Sequence, residues 1–380
     1  MPSANDLIYK NKFKKIKSYP LNYYWCSDCS LVQQLKLVER QKLFSDYTYM
    51  TGVNKQTVDL YKKEAIMLKK KFSNRKFAIV IASNDGTEIN LIKNIAKFDK
   101  VIGVEPAKNM AKIANAQNLE TINDFFTYKL SKKILNKYGK ADLIVANNVF
   151  AHIPNPKDML KGMKTLLSPS GMIEIEVHWL KYLVDELQID ILYAEHYYEW
   201  TLKAMTKIAT KSGLKVISSE PLPNQQGGSI RFWLGLKGKE NHKIMAEEEK
   251  AGLYSIKKMK NLQRRADKKK YIFRSMIQKI KSKGKRIGIW SVPAKIVTIL
   301  NFCNITGKDI DYAYEVAPTK INKYIPKANI LIKDEKSIIK DMPDYLIIGA
   351  WNYIDFAQKS LSAYTKKGGK LINPLTCRLL

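Results

Sequence analysis

Between Phe77 and Val177 the chain alternates short, continuous apolar runs with longer stretches of helical period. Phe77–Ala82 (FAIVIA) runs into Ser83, Asn84, Asp85 and Gly86, and Val101–Val104, Leu143–Ala146 and Met172–Val177 repeat the pattern. Uninterrupted apolar runs bounded by turn residues read as strands buried on both faces. Helical stretches lie between them at Glu88–Ala96, Lys108–Ala116, Lys129–Tyr138 and Lys157–Leu167. This rhythm predicts an α/β fold with a mostly parallel sheet. Upstream, Val58, Tyr61, Ala65 and Leu68 recur at helical spacing. Residues 240–283 are charged but keep Leu253, Ile256, Met259, Leu262, Ala266, Ile272, Met276 and Ile280 mostly on one face. They predict one or two amphipathic helices that bridge domains. Past Gly284 the β/α rhythm returns, with strands at Ile287–Val292, Tyr312–Tyr314 and Tyr345–Gly349 and a helix at Ala294–Phe302. Four consecutive segments follow: an N-terminal cysteine-pair and helical segment (1–70), an α/β domain (71–239), a helical linker (240–283) and a second, smaller α/β domain (284–380).

The length of 380 residues fits two or three domains at about 150 residues each. An apolar fraction of 45% excludes global disorder. The longest apolar stretches, such as Tyr345–Trp351, are too short to span a bilayer. Asp6 stands where a signal peptide needs an apolar run. These features predict a soluble, cytoplasmic protein. The net charge of +31 predicts an anionic partner: nucleic acid, an acidic membrane surface or a phosphorylated small molecule. The lysines are scattered, so charge does not choose among them, and many of them read as solvated faces. Four cysteines are too few for a disulfide framework in a chain of this length.

The candidate chemistry sits where the strands end. Ser83-Asn84-Asp85-Gly86 closes the first strand, and ligands of open α/β sheets bind at that end. Gly86 lets backbone approach a ligand. Glu105 follows Gly86 by nineteen residues, at the end of the second strand, where a carboxylate can accept both hydroxyls of a ribose. The spacing fits a nicotinamide or a methyl-donor site, and the missing G-x-G-x-x-G counts against the former. An ordinary turn with a surface glutamate accounts for these two features equally well. Asn147 and Asn148 follow the third strand and His152 comes one turn later; a helix cap is the plain alternative. In Tyr193-Ala194-Glu195-His196 a histidine has a carboxylate beside it and a phenol three residues before. Imidazole suits proton transfer near neutral pH. Gly227-Gly228-Ser229-Ile230-Arg231 suits phosphate or carboxylate binding, and equally a hairpin.

In order along the chain stand Y-P-L, C-x-x-C-x-L-V-Q, Y-x-Y, S-N-D-G, G-V-E-P-A, N-N-V-F-A-H-I, Y-x-E-H, G-G-S-x-R, P-A-K and A-W-N. From about Tyr19 to Pro374 this series resembles the S-adenosylmethionine-dependent sugar C-methyltransferases, which act on nucleotide-linked 4-keto deoxysugars. The resemblance implies a class I methyltransferase Rossmann-like core followed by a smaller, Rossmann-like C-terminal α/β domain. It implies that Ser83, Asn84, Asp85 and Gly86 surround the methionine part of the donor. Glu105 would hold the ribose hydroxyls, with Pro106 shaping the turn. Asp124 and Phe125 would border the adenine, and Asn147, Asn148 and His152 would line the floor near the sulfonium. Tyr193, Glu195 and His196 match the catalytic segment. Tyr47 matches a tyrosine that closes over the site, and Gly228, Ser229 and Arg231 a segment near the sugar nucleotide. His178 follows a strand and joins the substrate-binding set as the competing base.

The departures are informative. The family begins with two cysteine pairs that bind a structural zinc, whereas no cysteine precedes Cys26 and Cys29. A closed zinc site needs four ligands, so no zinc is expected. Val80 stands where methyltransferases often carry an acid, Gln226 replaces a histidine before G-G-S, and Trp290 replaces a glycine in the C-terminal domain. These bear on the sugar and on a C-terminal nucleotide pocket more than on the donor.

C-methylation beside a ketone requires removal of a ring proton and stabilisation of the enolate. His196 is the expected base, Glu195 its orienter, and Tyr193 a donor to the enolate or an alternative base. Sugar O-methylation on the same scaffold would also use a histidine base and stays open. A nucleic-acid methyltransferase is disfavoured. N-N-V-F lacks the Pro-Pro that holds a flipped base, and the aromatics do not alternate with a basic stripe. A non-catalytic assembly protein is disfavoured by the intact Y-x-E-H. The expected partner is a small-molecule nucleotide sugar, with no nucleic acid and no membrane, on a monomer or dimer.

Overall fold

The computed structural model describes residues 1–45, 47–73, 75–239 and 242–380. Glu240 and Asn241, which open the expected helical linker, lie outside the described residues. The chain forms two compact units. A central unit comprises Tyr24–Lys181 and Tyr197–Tyr254; a terminal unit comprises Met1–Tyr23, Tyr182–His196 and Ser255–Leu380. This partition departs from four consecutive segments. The first 23 residues group with the C-terminal domain, and so does the stretch 182–196 from within the expected methyltransferase segment. Contacts far apart in sequence decide membership, and periodicity does not register them.

In the central unit, β1 (Tyr23–Trp25) and β2 (Val32–Gln34) flank the cysteine pair. The main strands are β3 (Phe77–Ile81), β4 (Lys100–Val104), β5 (Thr121–Ile122), β6 (Ala141–Asn147) and β7 (Leu167–His178). The short β8 (Tyr198–Glu199) pairs with β2, and β9 (Lys215–Leu222) and β10 (Ser229–Gly235) complete the set. The large sheet has the order β5-β4-β3-β6-β7-β10-β9. β5, β4, β3, β6 and β7 run parallel, whereas β10 is antiparallel to both its neighbours. The carboxyl ends of β3, β4, β6 and β7 therefore share one edge. The four apolar runs expected as strands form β3, β4, β6 and β7, and β3 is buried at every position.

Local chemistry fixes the helices around this sheet. Asn54 caps the helix Lys55–Lys71 by accepting from Thr57 N. Asn155 caps Pro156–Leu166, where proline occupies the first turn. At Gly103 a Cβ would collide with Ser83 Oγ and Ile89 Cδ1, so β4 lies against the turn after β3 only because that residue is glycine.

The terminal unit holds the second sheet. Its strands are β11 (Ile287–Trp290), β12 (Tyr312–Glu315), β13 (Tyr324–Ile325), β14 (Ile330–Asp334), β15 (Tyr345–Ile348), β16 (Lys370–Asn373) and β17 (Arg378–Leu379), in the order β13-β14-β12-β11-β15-β16-β17. The five inner strands are parallel and the two edge strands antiparallel. Ala4 and Leu7 pack in one core with Ile287, Ile289, Val297, Leu300 and Ile330. Trp351 Nε1 donates to the fully buried Asp190 at 2.6 Å, and Arg265 donates to Val184 O at 2.6 Å, which tethers the stretch 182–196.

An ionic cluster lies within the central unit. Glu174 and Glu176 alternate with Ile173, Ile175 and Val177 along β7, so both carboxylates share one face. Register places Arg231 of β10 opposite Glu176 and, on its other side, Glu220 of β9. The Arg231 guanidinium faces Glu64 at 3.3 Å, Glu220 at 3.1 Å, Glu176 at 3.9 Å and Glu174 closer still. Asn147 donates from Nδ2 to Glu64 and to Glu88, each at 2.8 Å. Glu64, Glu88, Glu174 and Glu176 are all buried, and one arginine cannot balance four carboxylates. Burial pushes Glu88 and Glu174 well above the usual carboxyl range and Glu64 above it. Glu176 is pushed up to about 7, with Arg231 acting against the rise. The cluster therefore carries protons at neutral pH.

Two outcomes follow for stability. Arg231→Leu strands the carboxylates and should cost about 3–5 kcal/mol in urea unfolding. For Glu176 the folded value, about 7, exceeds the ordinary 4.5, so the folded state binds the extra proton between them. Its contribution is fully present below about pH 4.5 and is lost as pH rises through about 7. Urea unfolding across that window should show a steeper loss of stability in the wild type than in Glu176→Gln. Equal slopes would contradict this reading.

Candidate active site

The turn after β3 is held in an unusual backbone. Ala82, Asn84 and Gly86 have φ of 57°, 51° and 85°. Left-handed φ is unfavourable for Ala and tolerable for Asn, so neighbours must hold the turn. Glu105, at the carboxyl end of β4, accepts from Asn84 N at 2.8 Å and from Ala107 N at 2.8 Å. Burial raises its carboxyl above the usual value, and those two N–H groups pull it back. Residues 49–52 are laced to the same turn. Thr51 N donates to Asn84 Oδ1 at 2.9 Å, Asn84 Nδ2 to Tyr49 O at 3.1 Å, and Gly52 N to Asp85 at 2.8 Å. Tyr47 is fixed nearby, exchanging two hydrogen bonds with Asn109. Asp85 also accepts from Thr87 Oγ1 at 2.7 Å.

The other residues expected near a methyl donor lie at and after the carboxyl ends of β5 and β6. Asn123 donates to Glu105 O and Pro106 O at 2.8 and 3.1 Å, which fixes the approach to Asp124 and Phe125. Arg40 lies over the Phe125 ring at 4.3 Å. Asn148 takes φ 54° while its N–H donates to Glu176 O at 2.9 Å. His152 ends a short turn, its ring 5.4 Å from Phe44. The sequence pointed to Asn147 as a floor residue; its nitrogen turns instead to Glu64 and Glu88, and its Oδ1 is buried without a hydrogen-bond donor among the described residues. Ser83 Oγ is buried in the same condition.

Tyr193, Glu195 and His196 belong to the terminal unit. Tyr193 Oη lies 2.7 Å from His196 Nε2, and the two rings are 4.0 Å apart. His196 N donates to Tyr193 O at 3.0 Å, and Tyr23 Oη donates to His196 O at 2.7 Å and Tyr193 O at 3.1 Å. This tight turn positions both side chains. Glu195, expected to orient His196, has a different task. Its buried carboxylate accepts from Ser3 Oγ at 2.5 Å, Asn5 N at 3.1 Å and Ala4 N at 3.4 Å, so it anchors the start of the chain. The phenol is the group at His196 Nε2.

Arg231, expected near a phosphate, is likewise otherwise engaged: it is the counter-ion of the buried carboxylates described above. Gly228 has φ 122° and Ser229 Oγ donates to Gln225 O at 3.3 Å, so this segment is a turn entering β10. His178 ends β7, opposite Ser229, with Nδ1 3.5 Å from the fully buried Glu199. Glu199, Asn123 and Glu64 carry no local signal in the sequence. Cys26 and Cys29 sit on the turn between β1 and β2, and their own contact lowers Cys26 while burial raises Cys29. Among the described residues no group of three or more His, Cys, Asp or Glu could hold a metal ion, so the pair does not fit a closed zinc site.

Comparison with known proteins places the chain among methyltransferases. A methyltransferase domain family matches residues 81–219, and a C-methyltransferase C-terminal domain family matches residues 224–376. The chain is 24% identical over 365 residues to the C-methyltransferase NovU of Streptomyces niveus, covering 94% of this chain and 86% of that protein. These matches support an S-adenosylmethionine-dependent C-methyltransferase family. Among solved structures, S-adenosylmethionine-dependent methyltransferases of Clostridium acetobutylicum and Anabaena variabilis align with it at 15% and 16% identity. They cover 47% and 49% of this chain and 92% and 86% of theirs, with TM-scores of 0.37 and 0.38. The methyltransferase core is the central unit, and S-adenosylmethionine is the donor.

The edge that carries Glu105 keeps polar atoms in reserve. Glu105 uses two of its roughly four acceptor positions on backbone N–H groups. Ser83 Oγ and Asn147 Oδ1 add polar atoms without protein partners among the described residues. Glu105→Gln removes the charge from the carboxylate expected to accept two ribose hydroxyls, each bond contributing about 1.5–3 kcal/mol. Calorimetry with S-adenosylhomocysteine should show affinity reduced by about 10-fold or more; unchanged affinity would move the ribose elsewhere.

Proposed function

We propose that this methyltransferase transfers a methyl group to a ring carbon beside the ketone of a nucleotide-linked 4-keto deoxysugar. The observation that carries the reading is the Tyr193–His196 pair, a phenol 2.7 Å from an imidazole nitrogen on a turn clamped by Tyr23. A carbon acceptor has no lone pair to offer, so the reaction needs a base, and the imidazole of His196 supplies one. His196 takes the ring proton; the electron pair moves through the adjacent carbon to the ketone oxygen. Tyr193 fixes the imidazole orientation and relays the charge that develops on it. Ser83, Asn84, Asp85 and Gly86 with Glu105 and Pro106 hold the donor, Asp124 and Phe125 border its base, and Asn148 and His152 complete the floor. When bound, the donor supplies an electrophilic methyl with its own leaving group. Tyr47, held by Asn109, closes over the donor and excludes water from it. Gly228 and Ser229 lie beside the acceptor. The excess positive charge recruits the diphosphate of the acceptor.

The experiment supplies a nucleoside diphosphate-linked 4-keto-6-deoxyhexose, the donor and the enzyme, and reads the product by mass spectrometry and carbon NMR. A new carbon–carbon methyl signal is expected; an O-methyl signal would contradict the proposal. His196→Ala should retain donor affinity, lose about 10²–10⁴ in turnover, and lose donor-free exchange of the ring proton with deuterated water. Retained exchange in His196→Ala, with exchange lost in Tyr193→Phe, would move the base to the tyrosine.

A further inference from the structure

Four thiols stand in the chain, and the fold sets one pair of them apart. Cys303 is buried in the core of the terminal unit, with Cys377 packed against that core. Burial pushes the Cys303 thiol up to about 12 and raises Cys377 as well, so both stay protonated and unreactive. Cys26 and Cys29 lie in the central unit, on the turn that joins β1 to β2, each partly open to solvent. They take no part in the donor edge. Among the described residues no third metal-ligating side chain joins them.

The turn is closed by backbone. Cys26 N donates to Leu31 O at 2.9 Å and Ser30 N to Cys26 O at 2.8 Å, and the fully buried Ser30 takes a left-handed φ of 62°. Closure aims main-chain donors at sulfur. The N–H groups of Cys29 and Asp28 point at Cys26 Sγ, that of Leu31 points at Cys29 Sγ, and the two thiols are in hydrogen-bonding contact with each other. A helix brings cations to the same place. β2 pairs with β8, and the helix after β8, Leu202–Lys211, is capped by Thr201, whose side chain accepts from Ala204 N. Lys203, Lys207 and Lys211 recur on it at every fourth residue and share one face. Lys207 pairs with Asp28, and its ammonium lies within electrostatic reach of both sulfurs; Lys203 and Lys211 lie within reach of Asp28. The Cys29 N–H lowers the Cys26 thiol against its burial, whereas burial raises Cys29. Two thiols of unequal acidity are thus held in contact, beside cations and open to solvent, which is the setting of a reactive cysteine.

We propose that Cys26 and Cys29 form a reversible redox site, which a peroxide converts to an intramolecular disulfide. The Cys26 thiolate attacks one oxygen of hydrogen peroxide. The O–O bond breaks, the other oxygen leaves as hydroxide and takes up a proton as water, and Cys26 becomes a sulfenic acid. Cys29 then attacks the Cys26 sulfur. The S–O bond breaks, the departing hydroxide takes the Cys29 proton, and the S–S bond forms. Two thiols and one hydrogen peroxide give one disulfide and two waters, with two electrons passing from sulfur to peroxide. Cys26 is the attacking thiol and Cys29 the resolving one. A dithiol reductant reverses the change by thiol–disulfide exchange.

Peptide mass spectrometry of the full chain tests this. One tryptic peptide, residues 18–36, holds both cysteines, and Cys303 and Cys377 fall on two others. The reduced protein, freed of metal by a chelator, is treated with stoichiometric hydrogen peroxide, denatured and alkylated. The 18–36 peptide should lose two hydrogens and resist alkylation, dithiothreitol should restore both thiols, and Cys303 and Cys377 should alkylate fully. Cys29→Ser cannot close the disulfide and should leave a sulfenic acid on Cys26 that dimedone traps. Cys26→Ser should slow oxidation of the remaining thiol by about 10-fold or more. The wild-type map decides the proposal even where a variant fails to fold. Cys26 and Cys29 still alkylated while Cys303 or Cys377 is oxidised would overturn it, and so would Cys26 carried to sulfinic acid with no disulfide. A metal ion on the pair in the protein as purified, with oxidation blocked until the chelator removes it, would assign the turn to metal instead.

Discussion

The hydrogen bond from Asn84 N to Glu105 is the contact on which the donor edge turns. Three left-handed residues in five, two of them not glycine, do not hold such a turn unaided. Glu105 ties it to β4, and Thr51, Gly52 and Tyr49 tie it to the segment that carries Tyr47. A single carboxylate thus sets the backbone of the turn and keeps two acceptor positions, which on the proposed reading take the donor's hydroxyls. Gly103 admits this geometry because any side chain there would strike Ser83.

The second sheet repeats the device and closes it. Glu315 ends β12 where Glu105 directly follows β4, and it accepts from Val292 N in the turn after β11 at 3.0 Å. Here the rest of the carboxylate is consumed. Lys320 donates at 3.0 Å, and Val316 N and Ala317 N donate at 2.9 and 3.4 Å. Burial would raise Glu315, yet Lys320 and the backbone donors hold it below the usual range, whereas Glu105, with no lysine, stays above it. The same fold logic yields one edge with acceptors to spare and one neutralised from within.

The architecture was legible where local sequence carries it. Four buried strands, the turn after the first, and the glutamate after the second follow from period and spacing, because a parallel sheet writes itself as apolar runs ending in polar turns. The pairings were not legible. Glu195 sits beside His196 in sequence and still takes its partners from Ser3–Asn5, some 190 residues away. Arg231 in an apolar strand suggested an anion site, but the carboxylates it serves come from β7, β9 and a helix before β3. The I-E-I-E-V-H alternation of β7 does carry a signal, since charges at every second position of a buried strand require a counter-ion. The turn of residues 193–196 and its place in the terminal unit depend on contacts of Asp190, Val184 and Leu187 that no local pattern encodes.

The central claim is that the open carboxylate, Glu105, marks the donor edge and the closed one, Glu315, does not. Hydrogen–deuterium exchange with and without S-adenosylhomocysteine tests it on the unaltered protein. The account predicts slowed exchange over residues 82–86 and 105–107 on binding, with residues 290–293 and 315–317 unchanged. Slowed exchange confined to residues 290–293 and 315–317, with the first two segments unaffected, would contradict it.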